Sequence, residues 1–219
     1  MTGAGGTTGT GGTPGGTLGG TPGTGGTPAR ATGGDASPRT GGPAGVRASA
    51  GVDDPLGALR LGGEASVTFR RWYPTEAADL WAAVTTPERL ARWLGPVHGD
   101  LTPGGAYELR MGADEPGSDQ NATGVVRSCD PPRSFAVEWC FPGERPSEVE
   151  VRVEPGAAAE GAVLVLVHTR LEDAQAIGYG AGWHTSLDQL ADHLAGTEVR
   201  DWDTRFTELL PAYRALAER

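Results

Sequence analysis

Lysine does not occur in this chain of 219 residues; all 18 basic side chains other than histidine are arginine. No single function would exclude lysine at every position, so the absence reads as a GC-rich coding bias. Cysteine is scarce as well: Cys129 and Cys140 are too few for a disulfide framework or a cysteine-based metal site. No apolar run nears the ~20 residues of a membrane span, and no signal-peptide core opens the chain, so a cytoplasmic, reduced setting is expected and no membrane role. The net charge is −10 and no basic stripe offsets it, so nucleic acid, whose phosphates would be repelled, is not an expected partner.

The first 50 residues lack aromatic side chains altogether, and their only large apolar ones are Met1, Leu18 and Val46. They hold instead 18 of the 36 glycines, 11 threonines and five prolines, with GGTP at 11–14, 19–22 and 25–28. Such a stretch cannot bury enough apolar surface to offset the entropy of ordering its backbone. It reads as a disordered arm, residues 1–55, with the composition of a flexible linker. Arg30, Arg39, Arg47 and Asp35 give the first 50 residues a charge of +2, so the remainder carries −12. All six tryptophans lie in that remainder, which is long enough for one domain with a full core.

Its pattern begins with a strand over 64–72, where Val67, Phe69 and Arg71 alternate with Ser66, Thr68 and Arg70. After Pro74 the period changes. Ala77, Leu80, Trp81 and Val84 share one face of a helix, and Thr86-Pro87-Glu88 opens a second, short helix presenting Leu90, Trp93 and Leu94. Strands follow at 97–102, 106–111, 122–129, 134–141, 147–154 and 162–170, separated by Pro/Gly turns suited to antiparallel connections. Tyr107, Leu109 and Met111 share a face, as do Phe135, Val137, Trp139 and Phe141, and as do Val149, Val151 and Val153. Glu108, Glu138, Glu148, Glu150 and Arg152 point the other way. One wet and one covered face predict an antiparallel sheet with helices on one side. The cover is a long helix over 182–195, with Trp183, Leu187, Leu190, Ala191 and Leu194 as its apolar stripe. Pro211 must kink or restart the helix implied by Phe206, Leu209, Leu210 and Tyr213.

Trp81 with Thr85-Thr86-Pro87-Glu88-Arg89-Leu90-Ala91-Arg92-Trp93 resembles the W…T-x-P-E-x-L-x-x-W opening of proteins similar to the C-terminal domain of the Hsp90 ATPase activator. Further matches follow in order: Gly99-Asp100-Leu101 with Pro103-Gly104-Gly105, Gly124-Val125-Val126 before Asp130-Pro131-Pro132, Leu164 to His168, and Gly182-Trp183 with Leu187 and Leu190. Those proteins belong to the START-like (SRPBCC, Bet v 1-like) helix-grip superfamily. The resemblance implies the order that the periodicity shows: an α+β fold, β-α-α-β6-α, with a curved antiparallel sheet wrapped round a long C-terminal helix. On that reading residues 56–197 are the helix-grip domain and 198–219 a short helical extension.

A sheet curled round a helix leaves a cleft, and small apolar ligands bind in such places. The expected lining is Trp81, Tyr107, Leu109, Val137, Trp139, Leu166, His168, Trp183 and Leu187, with the polar edges of tyrosine and tryptophan able to orient a ligand. His168 is the candidate polar anchor. Gly178-Tyr179-Gly180-Ala181-Gly182 is spaced GxGxG, which is not a dinucleotide loop; small residues there let the start of the long helix approach the sheet, or give a hinge. Asp100 is expected to brace the turn that follows it. GxSxG, HExxH and P-loop motifs are absent, and no catalytic residue, metal or cofactor is expected. The expected function is binding of a small hydrophobic or aromatic molecule. The superfamily resemblance keeps two alternatives open: a stress-related co-chaperone acting on an Hsp90-type partner, and a polyketide cyclase/aromatase-like cavity enzyme. Either monomer or homodimer fits.

Overall fold

The computed structural model describes residues 56–157 and 161–219; the expected arm, residues 1–55, lies outside them. Alternation of side chains builds one sheet of eight antiparallel strands: β1 (Ala58–Arg60), β2 (Ala65–Tyr73), β3 (Val97–Gly99), β4 (Ala106–Leu109), β5 (Ala122–Asp130), β6 (Ser134–Trp139), β7 (Ser147–Pro155) and β8 (Ala162–Leu171). Their order across the sheet is β1-β2-β8-β7-β6-β5-β4-β3. β1 carries no sequence period of its own. It pairs through three residues only, too few to show a period, and places Leu59 opposite Val67.

Register lays the inner face out in rows. Phe69, Leu166, Val151, Phe135 and Cys129 are successive cross-strand neighbours from β2 to β5, and Val67, His168, Val149, Val137 and Val126 form the next row. Cys129 reaches this face because β5 bulges between Val126 and Ser128, which shifts the alternation by one. Between β2 and β3 lie α1 (Ala77–Thr85), which buries Leu80, Ala83 and Val84, and α2 (Pro87–Leu90), with proline in its first turn where the missing N–H is not needed. Asp100 does brace its turn, accepting from the backbone N–H and the hydroxyl of Thr102 at 2.9 and 2.8 Å.

The long helix α3 (Asp173–Ala195) starts nine residues before the expected point. Asp173 lies in its first turn, the Gln175 side chain accepts from the Glu172 N–H, and Gly196 ends it in the left-handed conformation. Gly178, Gly180 and Gly182 therefore sit inside a helix, not in a loop before one. Gly180 and Gly182 meet the final helix α4 (Trp202–Ala217) rather than the sheet, while Gly178 faces open space: a Cβ at Gly180 would come within 2.5 Å of the Tyr213 ring, and one at Gly182 lies 3.7 Å from Trp202. α4 is a single helix that runs through Pro211. Pro211 and Thr207 are both exposed, so the carbonyl deprived of its partner faces water.

Polar contacts fasten α4 to α3. Asp188, on α3, accepts from Arg205 at 2.9 Å and from Arg200 at 3.3 Å, with Arg71 and His184 at 3.9 and 3.7 Å. The buried Tyr213 hydroxyl accepts from the Gly57 N–H at 2.7 Å and lies 3.0 Å from Nδ1 of His184.

An apolar cavity between the sheet and α3

Where α3 crosses the inner face of the sheet, a cavity of about 150 Å³ remains. Its floor is sheet: Leu164 and Leu166 of β8, Val149 and Val151 of β7, Phe135, Val137 and Trp139 of β6, with Tyr107 and Leu109 of β4. Trp183 and Leu187 of α3 form its roof, and Val84, Leu90 and Trp93 close one end. Lining residues that keep some exposure, among them Thr85, Leu94, Val97, Leu101 and Cys129, mark the mouth. Asp, Glu, Arg and His are missing from the lining.

Of the nine residues expected to line the cleft, Tyr107, Leu109, Val137, Trp139, Leu166, Trp183 and Leu187 surround this cavity. Trp81 does not. It packs edge-on against Phe135 at 6.1 Å between ring centroids, one layer outside. His168 does not either. It shares the inner face with Leu164 and Leu166, but Trp139, Tyr179 and Trp183 cover it, and it is wholly buried.

His168 is held at both nitrogens. Its Nδ1 accepts the Trp183 indole N–H at 3.0 Å, and its Nε2 lies 2.8 Å from the Ser147 hydroxyl. That hydroxyl donates its one proton to the Trp139 carbonyl at 3.1 Å, so Nε2 of His168 is the donor and the tautomer is set. Burial pushes the imidazole pKa down to about 3, which leaves it neutral. A neutral, doubly bonded imidazole behind two tryptophans is a support, not an anchor that a ligand can touch.

The expected polar handles are likewise turned away. The Trp139 indole N–H donates to the Tyr179 hydroxyl at 2.9 Å, and that hydroxyl donates to Glu144 at 2.6 Å. Trp93 donates to the Ala83 carbonyl at 3.0 Å, and Tyr107 to the Glu138 carbonyl at 2.8 Å. Gly124 makes the last bond possible, since a side chain there would overlap the Glu138 carbonyl and press on the Tyr107 ring. Burial raises the pKa of both tyrosines, so they stay protonated.

Sequence reasoning missed Cys129. Read by alternation from Val126 it falls on the outer face, and only the bulge in β5 returns it inward. Its thiol pKa is raised by burial and by Asp130, so it is not a ready nucleophile. His168 and His184 do not share a space: His184 faces α4 and Tyr213. Among the described residues no group of three or more His, Cys, Asp or Glu side chains is gathered as a metal site requires. No helix among them is long and apolar enough to cross a membrane.

The family model described as "Activator of Hsp90 ATPase homolog 1-like protein" matches residues 74–195, from the turn before α1 to the end of α3. The chain belongs to this family. Its α+β architecture, a curved antiparallel sheet around a long helix with a second C-terminal helix, recurs in solved structures. It is 29% identical to CalU16 from Micromonospora echinospora, over 74% of this chain and 98% of CalU16, with a TM-score of 0.62. The protein encoded by gene BPP1335 of Bordetella parapertussis is 32% identical, over 76% of this chain and 92% of that one, with a TM-score of 0.56. DynU16, a protein in the dynemicin biosynthetic locus, shares the fold at 23% identity and a TM-score of 0.55, over 62% of this chain and 49% of its own. A search of curated proteins returned no match. The Activator of Hsp90 ATPase homolog 1-like match ends before α4, so Arg200, Arg205 and Tyr213 lie outside the matched residues.

Proposed function

We propose that this protein binds a small apolar molecule in the cavity beneath α3 and performs no chemistry on it. The observation that carries this reading is the lining: about 150 Å³ walled by aliphatic and aromatic side chains, with Thr85 and Cys129 at the mouth and no carboxylate, imidazole or guanidinium among them. A cavity enzyme would need a titratable group facing its substrate. His168, the candidate for that part, is covered and engaged at both nitrogens. These walls give an apolar occupant of matching size dispersion contacts over most of its surface.

The test is ligand-induced stabilisation of the full chain. A panel of apolar rings and alkyl chains is added during thermal unfolding, and native mass spectrometry records what the purified protein carries. A ligand present at a hundred times its Kd is expected to add about 2.7 kcal/mol. Val137→Phe, which places a ring in the cavity, is expected to abolish that gain while the protein stays folded. Absence of a shift with every compound, together with protein that carries nothing, would overturn the reading.

A further inference from the structure

Four lining residues carry a hydrogen-bond donor on a ring, and all four donors are spent inside the protein. Trp183 gives its N–H to His168, Trp139 to Tyr179, Trp93 to a backbone carbonyl, and Tyr107 its O–H to another. Two of the acceptors are themselves fixed, His168 by Ser147 and Tyr179 by Glu144. Turning the Trp183 indole toward the cavity would strand the buried His168 Nδ1 as well as break a bond, and turning Trp139 would break its bond to the half-buried Tyr179. Two other polar lining groups, the Thr85 hydroxyl and the Cys129 thiol, sit at the half-exposed mouth, and Thr85 already donates to the Trp81 carbonyl. The depths of the cavity show a ligand only ring faces and aliphatic carbon.

Resting on the binding reading above, we infer that the site selects a single aromatic ring, bare or carrying a short alkyl group, against the same ring bearing hydroxyls. The volume supports one ring: an apolar cavity of about 150 Å³ stays dry and accepts benzene. Discrimination comes from what the wall withholds. A ring hydroxyl buried there gives up its water partners and finds none, which weakens binding by about 10- to 100-fold. Hydroquinone, with hydroxyls at opposite ends, cannot bring both to the mouth and is disfavoured more than phenol.

Calorimetric titration of the full chain with toluene, phenol and hydroquinone tests this. Affinity is expected to fall in that order, with toluene about 10- to 100-fold tighter than phenol. Because phenol is also better hydrated than toluene, the ratio is measured again in Val151→Thr, which adds one hydroxyl to the floor at nearly constant shape. Val137→Thr, nearer the mouth, serves if the first variant does not fold. Either is expected to narrow the toluene-to-phenol ratio by about fivefold or more. Equal affinity for toluene and phenol in the unaltered chain, or a ratio unmoved by the added hydroxyl, would overturn the inference. If the rings fail but a straight-chain alkane binds, the ring assignment falls and the binding reading stands; if neither binds, both fall.

Discussion

The indole N–H of Trp183 on α3 donates to Nδ1 of His168 on β8 across 3.0 Å, tying the roof of the cavity to its supporting strand. The partner on the other side of the imidazole, Ser147, ties the same histidine to β7. One buried ring thus sets the height at which α3 crosses the sheet.

Removing that ring is expected to be severe. His168→Ala strands the Trp183 N–H, takes one of two partners from the Ser147 hydroxyl and leaves a cavity in the interior, so a loss of about 3–5 kcal/mol is expected. Trp183→Phe keeps a ring over the cavity and strands only Nδ1 of His168, for about 1–3 kcal/mol. Urea unfolding of the three proteins measures both. A His168→Ala loss below about 1 kcal/mol would show that the imidazole does not support the roof.

Acidification reports the same burial. Burial pushes the folded-state pKa of His168 down to about 3, and burial with the positive field of Arg71 pushes that of His184 down to about 4. Unfolded histidine titrates near 6.5, so below that pH the unfolded chain takes up protons that the native protein refuses. Stability is therefore flat in these groups above pH 6.5 and falls as pH drops from 6.5 toward 4, by up to about 1.4 kcal/mol per pH unit for each histidine. Carboxylates with depressed pKa, such as Glu108 (lowered to about 2 by the Gly117 N–H, Arg110 and Asn121), add their loss only below about pH 4.5. Unfolding free energies measured at intervals from pH 7.5 to 5 isolate the histidine slope. A flat profile over that range would contradict it.

Neighbouring glycines of α3 are expected to respond with opposite sign. Gly178→Ala meets nothing within 4 Å and gains helix propensity, so it is expected to stabilise by about 0.5–1 kcal/mol. Gly180→Ala drives a methyl to within 2.5 Å of the Tyr213 ring and is expected to destabilise by about 1–3 kcal/mol by pushing α4 outward. Thermal unfolding of the pair decides. Stabilisation by Gly180→Ala as well as Gly178→Ala would mean that Tyr213 does not rest on Gly180.

The strands were legible where alternation is long. Val149, Val151 and Val153 declare a covered face by themselves, and the stripe from Trp183 to Leu190 declares the helix that covers it. The start of α3 was hidden because three glycines within five residues argue locally for a loop; contact with α4, about 20 to 30 residues on, overrides that preference. The cavity's aromatic lining could be read from Tyr107, Trp139 and Trp183, yet the direction of their polar edges could not. Trp139 finds its acceptor 40 residues away on Tyr179, and Tyr107 finds its own 31 residues away, through a gap that depends on Gly124. Periodicity says which face a side chain occupies, not how the ring is rotated once there.

Asp188 gathers Arg200 and Arg205 from beyond the family match while itself lying within it. The family match and the electrically complete unit therefore end at different residues. A chain stopping at Ala195 would keep every matched position but leave the Asp188 carboxylate with only Arg71 and His184 close by, and Gly57 without its tyrosine. Truncation after Ala195 is therefore expected to destabilise the matched region itself, although it removes none of it.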